Sequence, residues 1–214
     1  MAKKTTKKRT AKPADPAVAV IKAALALAAE TPWNDVSLTD IAAGAKMAEN
    51  DLRALFGSKL AILTAYDRSI DDLVVAQAKS ISLDDPMRDR LFEAIMMRLD
   101  ILQQDRAAVS NILHATAPGN PKAVLAGICG LRCSMFQMLD LCGDETQGLL
   151  GRAKGKALGL IYLNTLRVWL KDESEDLGKT MAALDKALTH AEAVMNNLPV
   201  DKLTGFGRRG QATA

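Results

Sequence analysis

Apolar residues recur at intervals of three and four along much of the chain, and this spacing constrains the fold more than any other feature. Residues 17–30 (AVAVIKAALALAAE) show it first, with apolar side chains at Val18, Ile21, Leu25 and Ala28. Residues three and four apart share a face of an α-helix, so an amphipathic helix is predicted here. Clusters of strand-favouring residues are absent while Ala, Leu, Met and Lys dominate, which predicts an all-α fold.

Breaks and caps divide the rest of the chain into further helices. Ser37 or Thr39 can cap a second helix, Gly57 ends a third, and Ser58 can cap a fourth. The later signals predict a helix that opens at Asp84-Asp85-Pro86 and runs to Leu102, a shorter helix over 105–116, a break at 118–121, and helices over 122–141, 145–171 and 177–195.

The first twelve residues, MAKKTTKKRTAK, carry six basic side chains and no acidic one. The whole chain has 28 basic and 25 acidic residues, so the remainder has 22 basic ones and a formal charge of −3. We predict a disordered basic arm over residues 1–14, which either contacts phosphates or anionic lipid head groups or only keeps the chain soluble. Residues 199–214, with three glycines, are predicted to be a flexible tail.

Cysteine and histidine usage favours neither a disulfide framework nor a metal centre. Cys129, Cys133 and Cys142 lie in apolar helical sequence with no secretory signal before them, which predicts reduced thiols in a cytoplasmic protein. Cys129 and Cys133 share a helix face and could offer two metal ligands. Since His114 and His190 are distant in sequence, buried structural cysteines are the preferred interpretation.

The longest uninterrupted apolar runs, such as residues 160–163, are far shorter than the roughly 20 residues that cross a bilayer, so no transmembrane segment is predicted. The sequence contains no Ser-His-Asp arrangement, phosphate-binding loop or His-rich metal spacing, so we expect neither an enzyme nor a cofactor. The acids of residues 172–176 could hold a cation, although acids at a helix start are more commonly explained by the helix dipole.

The segment from Val20 to Ala65 carries the features of a helix-turn-helix domain in an uninterrupted order. They are the helix AALALAAE, the aromatic Trp33, the step Asp40-Ile41-Ala42, Leu52 three residues before Leu55-Phe56, and the step Phe56-Gly57-Ser58-Lys59. In this order they resemble the N-terminal domain of TetR-family regulators. The resemblance implies an all-α fold with a three-helix domain of DNA-binding type over residues 15–62, followed by a larger helical ligand-binding and dimerisation domain over 63–198.

The same resemblance implies a bacterial transcriptional repressor that binds a palindromic operator as a homodimer. Arg53 is then expected to reach a guanine and Asn50 an adenine, although both would also suit an ordinary exposed helix face. The predicted DNA contacts are Thr39, Lys46, Asn50, Arg53, Ser58 and Lys59, with Lys7, Lys8 and Arg9 of the arm entering the minor groove.

The sequence departs from the family pattern where DNA should be read. Lys46 stands in the turn where glycine is usual, and Ala48 stands where serine or threonine usually caps the recognition helix. Glu49 and Asp51 complement the dipole of that helix but would repel phosphates. Residues 13–60 hold four basic and six acidic side chains, so this region must depend on the arm and on a second subunit to bind DNA.

A second resemblance covers a short segment near the end of the chain. Residues 166–177 (LRVWLKDESEDL) and 180–185 (TMAALD) are similar to the C-terminal part of COQ9 proteins. COQ9 proteins have a TetR-like fold, bind lipid, assist ubiquinone biosynthesis and do not act as repressors. The alternative hypothesis is therefore a lipid-binding accessory protein that has lost DNA binding.

Either hypothesis places an apolar small molecule or a lipid in the helical domain. Methionine-rich apolar positions suit an adaptable cavity, although plain hydrophobic core would have the same composition. The predicted lining is Phe92, Met96, Leu99, Met135, Phe136, Met138, Leu139, Tyr162 and Trp169. Gly151, Gly155 and Gly159 would let another helix approach closely, either from the same chain or from a second subunit.

Overall fold

The computed structural model describes residues 15–116 and 121–197. Nine α-helices lie in this described part of the chain: α1 (Pro16–Glu30), α2 (Leu38–Gly44), α3 (Glu49–Leu55), α4 (Lys59–Gln77), α5 (Met87–Gln103), α6 (Arg106–Thr116), α7 (Pro121–Leu141), α8 (Gly148–Trp169) and α9 (Gly178–Asn197). A 3₁₀ turn at Ala78–Ser80 follows α4. The described ranges contain no strand, so the all-α prediction is confirmed. The predicted arm (1–14), the tail (199–214) and most of the break at 118–121 lie outside the described residues.

Local capping explains where the early helices begin. Asp15 accepts a hydrogen bond from the Ala17 amide (3.0 Å) at the start of α1. Ser37 and Asp40 form a reciprocal capping box at α2, in which each side chain accepts a hydrogen bond from the other residue's amide. Ser58 caps α4, as the sequence predicts. These hydrogen bonds satisfy backbone N–H groups that the first turn of a helix leaves unpaired.

Buried apolar side chains form two main clusters, one in an N-terminal head (α1 to α3 and the start of α4) and one in a larger helical body. Ile41 and Leu52 are fully buried in the head cluster. The body cluster joins α4, α5, α7, α8 and α9 around the buried Trp169. Helix α4 belongs to both clusters, because Ile62 packs in the head and Ile70 packs in the body.

Helix α6 gives the head a second attachment to the body. Ala108 of α6 is buried in the head cluster. The side-chain amide of Asn111 donates a hydrogen bond to the carbonyl oxygen of Ala28 at the end of α1 (2.8 Å). The orientation of the head is therefore fixed through both α4 and α6.

Two predictions about helix faces are wrong. The predicted apolar face of α1 includes Val18, but Val18 is exposed while Val20 and Ala23 are buried. Because α1 is apolar on several sides, spacing alone does not identify the side that packs on α6. The apolar spacing of Leu52, Leu55 and Phe56 predicts that Leu55 points inward, but Leu55 is exposed, since α3 ends there and Phe56 takes the inward position.

The three glycines of α8 accommodate neighbours from the same chain. A Cβ atom on Gly151 would lie 2.2 Å from the carbonyl carbon of Thr146, and one on Gly155 would lie 2.8 Å from Cζ of Phe136 on α7. At Gly159 the nearest atom of α7 would be 3.9 Å away, an ordinary van der Waals contact. The close neighbours of this stripe are therefore α7 and the loop before α8.

Residues 166–180 form the joint between α8 and α9. Trp169 is fully buried, and its indole N–H donates to the side-chain oxygen of Gln103 (2.8 Å). Asp172 is also fully buried and accepts hydrogen bonds from the amide (2.8 Å) and hydroxyl (2.7 Å) of Thr180, which caps the first turn of α9. Both side chains thus have structural roles. Among the described residues, no group of three or more acidic, cysteine or histidine residues could hold a metal ion.

Candidate functional site

The turn between α2 and α3 keeps the helix-turn-helix geometry without a glycine. Lys46 adopts φ = +57°, a left-handed conformation that costs a non-glycine residue roughly 1 kcal/mol. The turn is closed by hydrogen bonds from the Lys46 amide to the Ala43 carbonyl (3.1 Å) and from the Met47 amide to the Ala42 carbonyl (3.0 Å). The lysine therefore adopts a conformation that glycine takes more readily, at a modest cost in stability.

Helix α3 is the candidate recognition helix. Its N-cap residue, Ala48, forms no side-chain cap, as the sequence predicts. Leu52 is fully buried and anchors the inner side of the helix. Asn50, Arg53 and Ala54 are exposed. With seven residues, about two turns, α3 presents one short exposed face as the candidate surface for reading bases.

Glu49 joins two side chains that are predicted to contact DNA. Its Oε1 atom accepts a hydrogen bond from Nε of Arg53 (2.8 Å) and lies 2.6 Å from Nη2 of the same guanidinium. Its Oε2 atom accepts a hydrogen bond from the Thr39 hydroxyl (2.7 Å). These hydrogen bonds, first from Thr39 and then from Arg53, lower the pKa of Glu49, so it is ionised at neutral pH. Glu49, which is expected to repel phosphates, is thus paired with the positively charged Arg53.

Ser58 and Lys59 have structural partners at the start of α4. Ser58 accepts a hydrogen bond from the Ala61 amide (3.2 Å). The Lys59 ammonium donates to the carbonyl oxygens of Trp33 and of Val36 (2.6 Å to Val36), and it lies 4.4 Å from the centroid of the Trp33 ring. Lys59 therefore ties the loop between α1 and α2 to α4.

Among the described residues, Lys46 and Asn50 are predicted DNA contacts whose side chains make no such structural hydrogen bonds. Both are exposed. Within residues 15–116 and 121–197, neither side chain has a hydrogen-bond or ion-pair partner. Lys7, Lys8 and Arg9 lie outside the described residues. The structure thus brings Thr39 and Arg53 together through Glu49 and leaves Asn50 on the same short helix.

Several solved structures share this architecture over most of the chain. A TetR transcriptional regulator from Nitrosomonas europaea has a TM-score of 0.70 and 24% sequence identity, and the match covers 84% of this chain and 99% of that one. A TetR transcriptional regulator from Rhodococcus sp. RHA1 has a TM-score of 0.64 and 21% identity, over 86% of this chain and 97% of that one. A TetR-family regulator from Streptomyces coelicolor has a TM-score of 0.57 and 16% identity, over 91% and 98%.

The chain has the fold of TetR-family transcriptional regulators. The predicted fold, a helix-turn-helix head followed by a helical body, is therefore confirmed. No protein-family model matches the chain, and no curated protein matches it.

In this TetR-type fold, eight of the nine side chains predicted to line a ligand pocket belong to the body cluster. Leu99, Met135 and Trp169 are fully buried there, and Phe92 and Met96 pack at its edge. Phe136 is the exception. It packs against Gly155, with its ring centroid 5.5 Å from the guanidinium carbon of Arg132. The predicted residues are thus brought together as packed core, and their role in ligand binding stays a prediction.

Two open clefts lie away from this cluster. The larger, with a volume of about 600 Å³, is lined mainly by α4 and by Ala126 of α7. The smaller, of about 380 Å³, lies at the start of α8 between Arg132, Phe136 and Arg152. Of the predicted ligand contacts, Phe136 alone lines either of these two clefts.

The body also contains a buried ionic network that sequence analysis missed. Arg98 of α5 is only 3% exposed and donates hydrogen bonds to Asp67 (2.6 Å) and Asp71 of α4. Its Nε atom donates to the Tyr162 hydroxyl on α8 (3.2 Å), and the Ser134 hydroxyl on α7 donates to Asp71 (2.8 Å). Burial alone would lower the pKa of Arg98, but Tyr162 and the two aspartates raise it, so the guanidinium stays protonated.

The sequence does contain signals for this network. Arg98 falls on the apolar face of α5, three residues after Ile95 and four before Leu102. Asp67 and Asp71 are four apart and so share a face of α4. A charged residue on an apolar face needs a buried partner, and acids that share one face of a neighbouring helix are suitable partners.

Helix α7 is unusually exposed for its composition. Its segment Val124–Leu141 is long and apolar enough to cross a membrane by length and composition, and 22% of the segment is buried. Cys129 and Cys133 are exposed on this helix, so the prediction that they are buried is wrong for both, whereas Cys142 is buried. Large exposed apolar side chains of α7 and α8 are Val124, Leu125, Ile128, Leu149, Leu160 and Leu163.

Proposed function

We propose that the chain is a cytoplasmic transcriptional regulator of TetR type, a repressor that binds a palindromic operator as a homodimer and responds to an apolar small molecule or lipid. The observation that carries the proposal is the exposed face of α3, which offers Asn50 and Arg53 at the end of a head of TetR-type fold. Asparagine can pair with adenine and arginine with guanine in the major groove.

The exposed apolar face of α7 and α8 supports the homodimer. Leu160, for example, is 70% exposed on α8, and Leu125 and Ile128 are exposed on α7. Exposed apolar side chains on two helices that pack together can mark a site of association, and we assign a second copy of the chain to this face. Two copies would also place two α3 helices on successive turns of the operator, which such a motif requires.

Formation of a homodimer would also help the acidic head to bind DNA. In the free head Glu49 is paired with Arg53, and Asp40 is engaged in the α2 capping box. Lys46 and the basic arm can supply further positive charge toward phosphates. Each phosphate contact releases counterions, so the contributions of two subunits add and can offset the repulsion that one head would meet.

We assign the effector to the body cluster. Phe92 and Met96 are partly buried at its edge, and methionine adapts readily to an inserted molecule. Helix α4 packs in this cluster and also in the head, so a molecule that separates α4 from α5 would move the head with it.

Fluorescence anisotropy with the DNA upstream of the chain's own gene tests the proposal. We expect binding that weakens steeply with salt, with a log–log slope of about −0.9 for each phosphate contacted. Arg53→Glu should abolish this binding because it reverses the charge on the exposed face of α3. Lys186→Glu makes the same charge change on the exposed side of α9 and should leave the affinity near the wild-type value. Failure of the wild-type chain to bind this DNA or an unrelated duplex at low salt would overturn the proposal.

A lipid-binding accessory protein resembling COQ9 is the second candidate. The exposed and apolar segment Val124–Leu141 favours it, because such a surface can also lie against lipid. Native mass spectrometry of the purified chain distinguishes the two candidates. A co-purifying isoprenoid or fatty lipid, together with no DNA binding, would favour the accessory protein.

A further inference from the structure

We infer that Glu49 is a positioning residue that holds the Arg53 guanidinium ready for a two-bond contact with one guanine of the operator. The inference rests on the proposed function and deepens it, because it names guanine as the base that Arg53 recognises and Glu49 as the residue that increases the preference for it. It also gives a reason for a carboxylate in the first turn of a helix that must approach phosphates.

The Arg53 guanidinium is held along one edge and free at its end. An arginine side chain has five N–H groups in a fixed planar fork. Glu49 occupies the side edge, because its Oε1 atom is 2.8 Å from Nε and 2.6 Å from Nη2. The end of the fork, formed by Nη1 and the second hydrogen of Nη2, makes no hydrogen bond to any described residue. That end is the edge that pairs with O6 and N7 of guanine in the major groove.

Thr39 fixes the carboxylate in turn. Its hydroxyl lies on α2 and donates to Oε2 of Glu49 (2.7 Å), so both helices of the motif determine where Arg53 points. The Arg53 side chain remains 53% exposed and that of Glu49 33% exposed, so the guanidinium is ordered without being buried. An arginine that is oriented before binding loses less rotamer freedom when it meets its base.

The same carboxylate weakens attraction to DNA in general. A negative charge near the phosphates opposes the electrostatic contribution that dominates non-specific binding. Glu49 should therefore have two effects of opposite sign, a stronger preference for one base and a weaker affinity for any duplex. An acid that merely completes the first turn of α3 would have only the second effect.

Asp51 provides a matched control for this distinction. It lies in the same first turn of α3 and is exposed, and its carboxylate has no hydrogen-bond or ion-pair partner within the described ranges. Glu49→Ala and Asp51→Ala each remove one negative charge, but only Glu49→Ala releases Arg53. Arg53→Lys keeps the positive charge and loses the fork.

The test begins with selection of the operator by the wild-type chain from a random duplex library. Anisotropy titrations then compare the selected duplex, the same duplex with the guanine opposite Arg53 replaced, and an unrelated duplex. We expect the wild type to prefer guanine by roughly 5- to 150-fold. Glu49→Ala and Arg53→Lys should reduce this preference by about fivefold or more, whereas Asp51→Ala should retain it. Both alanine variants should bind the unrelated duplex about threefold more tightly per half-site.

The possible failures are distinguishable. If Glu49→Ala keeps the wild-type base preference and behaves like Asp51→Ala, the inference is wrong and the regulator proposal stands. If the wild-type chain selects no sequence at all, both the inference and the proposed function are wrong. Far-ultraviolet circular dichroism and a thermal melt of each variant establish that the overall helix content and the cooperative fold are retained.

Discussion

The head and the body each contain an arginine held by carboxylates, but the two networks lie in opposite environments. Arg53 in the head is more than half exposed and bonds to Glu49 on its own helix. Arg98 in the body is 3% exposed and bonds to Asp67 and Asp71 on another helix. The same chemistry therefore serves a surface in one region and a helix interface in the other.

The difference teaches which network can open. An exposed ion pair contributes little to folding because water competes for both charges, so the Arg53–Glu49 pair can rearrange at small cost. A buried guanidinium cannot be left without its partners, because the charge would then be unpaired in a medium of low dielectric constant. The body network therefore fixes α4 against α5, while the head network keeps a surface side chain ordered.

Substitution of Arg98 has the largest expected effect. Arg98→Ala leaves Asp67 and Asp71 facing each other without the guanidinium between them and should lower the free energy of unfolding by about 3–5 kcal/mol. Urea denaturation followed by circular dichroism measures the loss. A loss smaller than about 1 kcal/mol would erase the distinction between the two networks.

Gly151 and Gly159 of α8 test the packing of the body at a site without charges. Gly151→Ala would place a methyl group 2.2 Å from the Thr146 carbonyl carbon, so the backbone must shift and stability should fall by about 1–3 kcal/mol. Gly159→Ala meets its nearest neighbour at 3.9 Å and should be neutral or stabilising by up to about 1 kcal/mol. The melting temperature should fall for Gly151→Ala and stay the same or rise for Gly159→Ala, and equal shifts would contradict the close approach seen at Gly151.

Acid titration compares a buried carboxylate of the body with an exposed one of the head. Hydrogen bonds from Ser174 and, to a smaller extent, from Thr180 hold the pKa of Asp172 far below its usual value of 3.8. They outweigh burial, which by itself would raise this pKa. Because the pKa of Asp172 is lower in the folded state than in the unfolded state, its contribution to folding stability is complete above the unfolded-state pKa. That contribution is lost as the pH falls through the folded-state pKa. Stability should therefore decline on acidification below pH 3.8.

Asp172→Asn is the variant that checks this carboxylate. Its unfolding free energy should depend less on pH than that of the wild type in this acidic range, because the titrating group is gone. Glu49→Gln should change the pH profile less, since the hydrogen bonds of Glu49 are at the surface. Parallel profiles for the wild type and Asp172→Asn would show that Asp172 does not contribute the expected pH dependence.

The smallest expected effect is that of Arg53→Ala on stability. The ion pair with Glu49 is at the surface and within one short helix, so the urea midpoint should differ from the wild-type value by no more than experimental error. The same substitution should strongly weaken binding to the operator. A clear loss of stability would mean that Arg53 serves folding and would remove the contrast with Arg98.

Local signals predicted the helices well because helix formation depends on neighbours in sequence. Apolar spacing predicted the all-α fold, and Ser37 and Ser58 were among the predicted caps that the structure contains. Helix faces were predicted less well. Val18 and Leu55 are exposed because the side that is buried depends on which helix packs there, and periodicity does not specify that partner.

The contacts of the site depend on pairs that are distant in sequence. The Thr39–Glu49 hydrogen bond joins residues ten apart across a turn, and the Lys59–Val36 hydrogen bond joins residues 23 apart. The sequence alone therefore indicated Glu49 as a source of repulsion and Lys59 as a phosphate contact. In the folded head Glu49 pairs with Arg53, and Lys59 fastens the loop between α1 and α2. A contact between Lys59 and phosphates stays a prediction.

Native mass spectrometry of the chain mixed with its selected operator duplex tests most directly whether paired heads bind DNA. Each chain has a mass of 22.9 kDa, so bound species are readily assigned. We predict two chains for each duplex, or a multiple of two, with no complex that contains a single chain. Complexes with one chain per duplex, or only free chain and free DNA at low salt, would contradict a homodimer that reads its operator through α3.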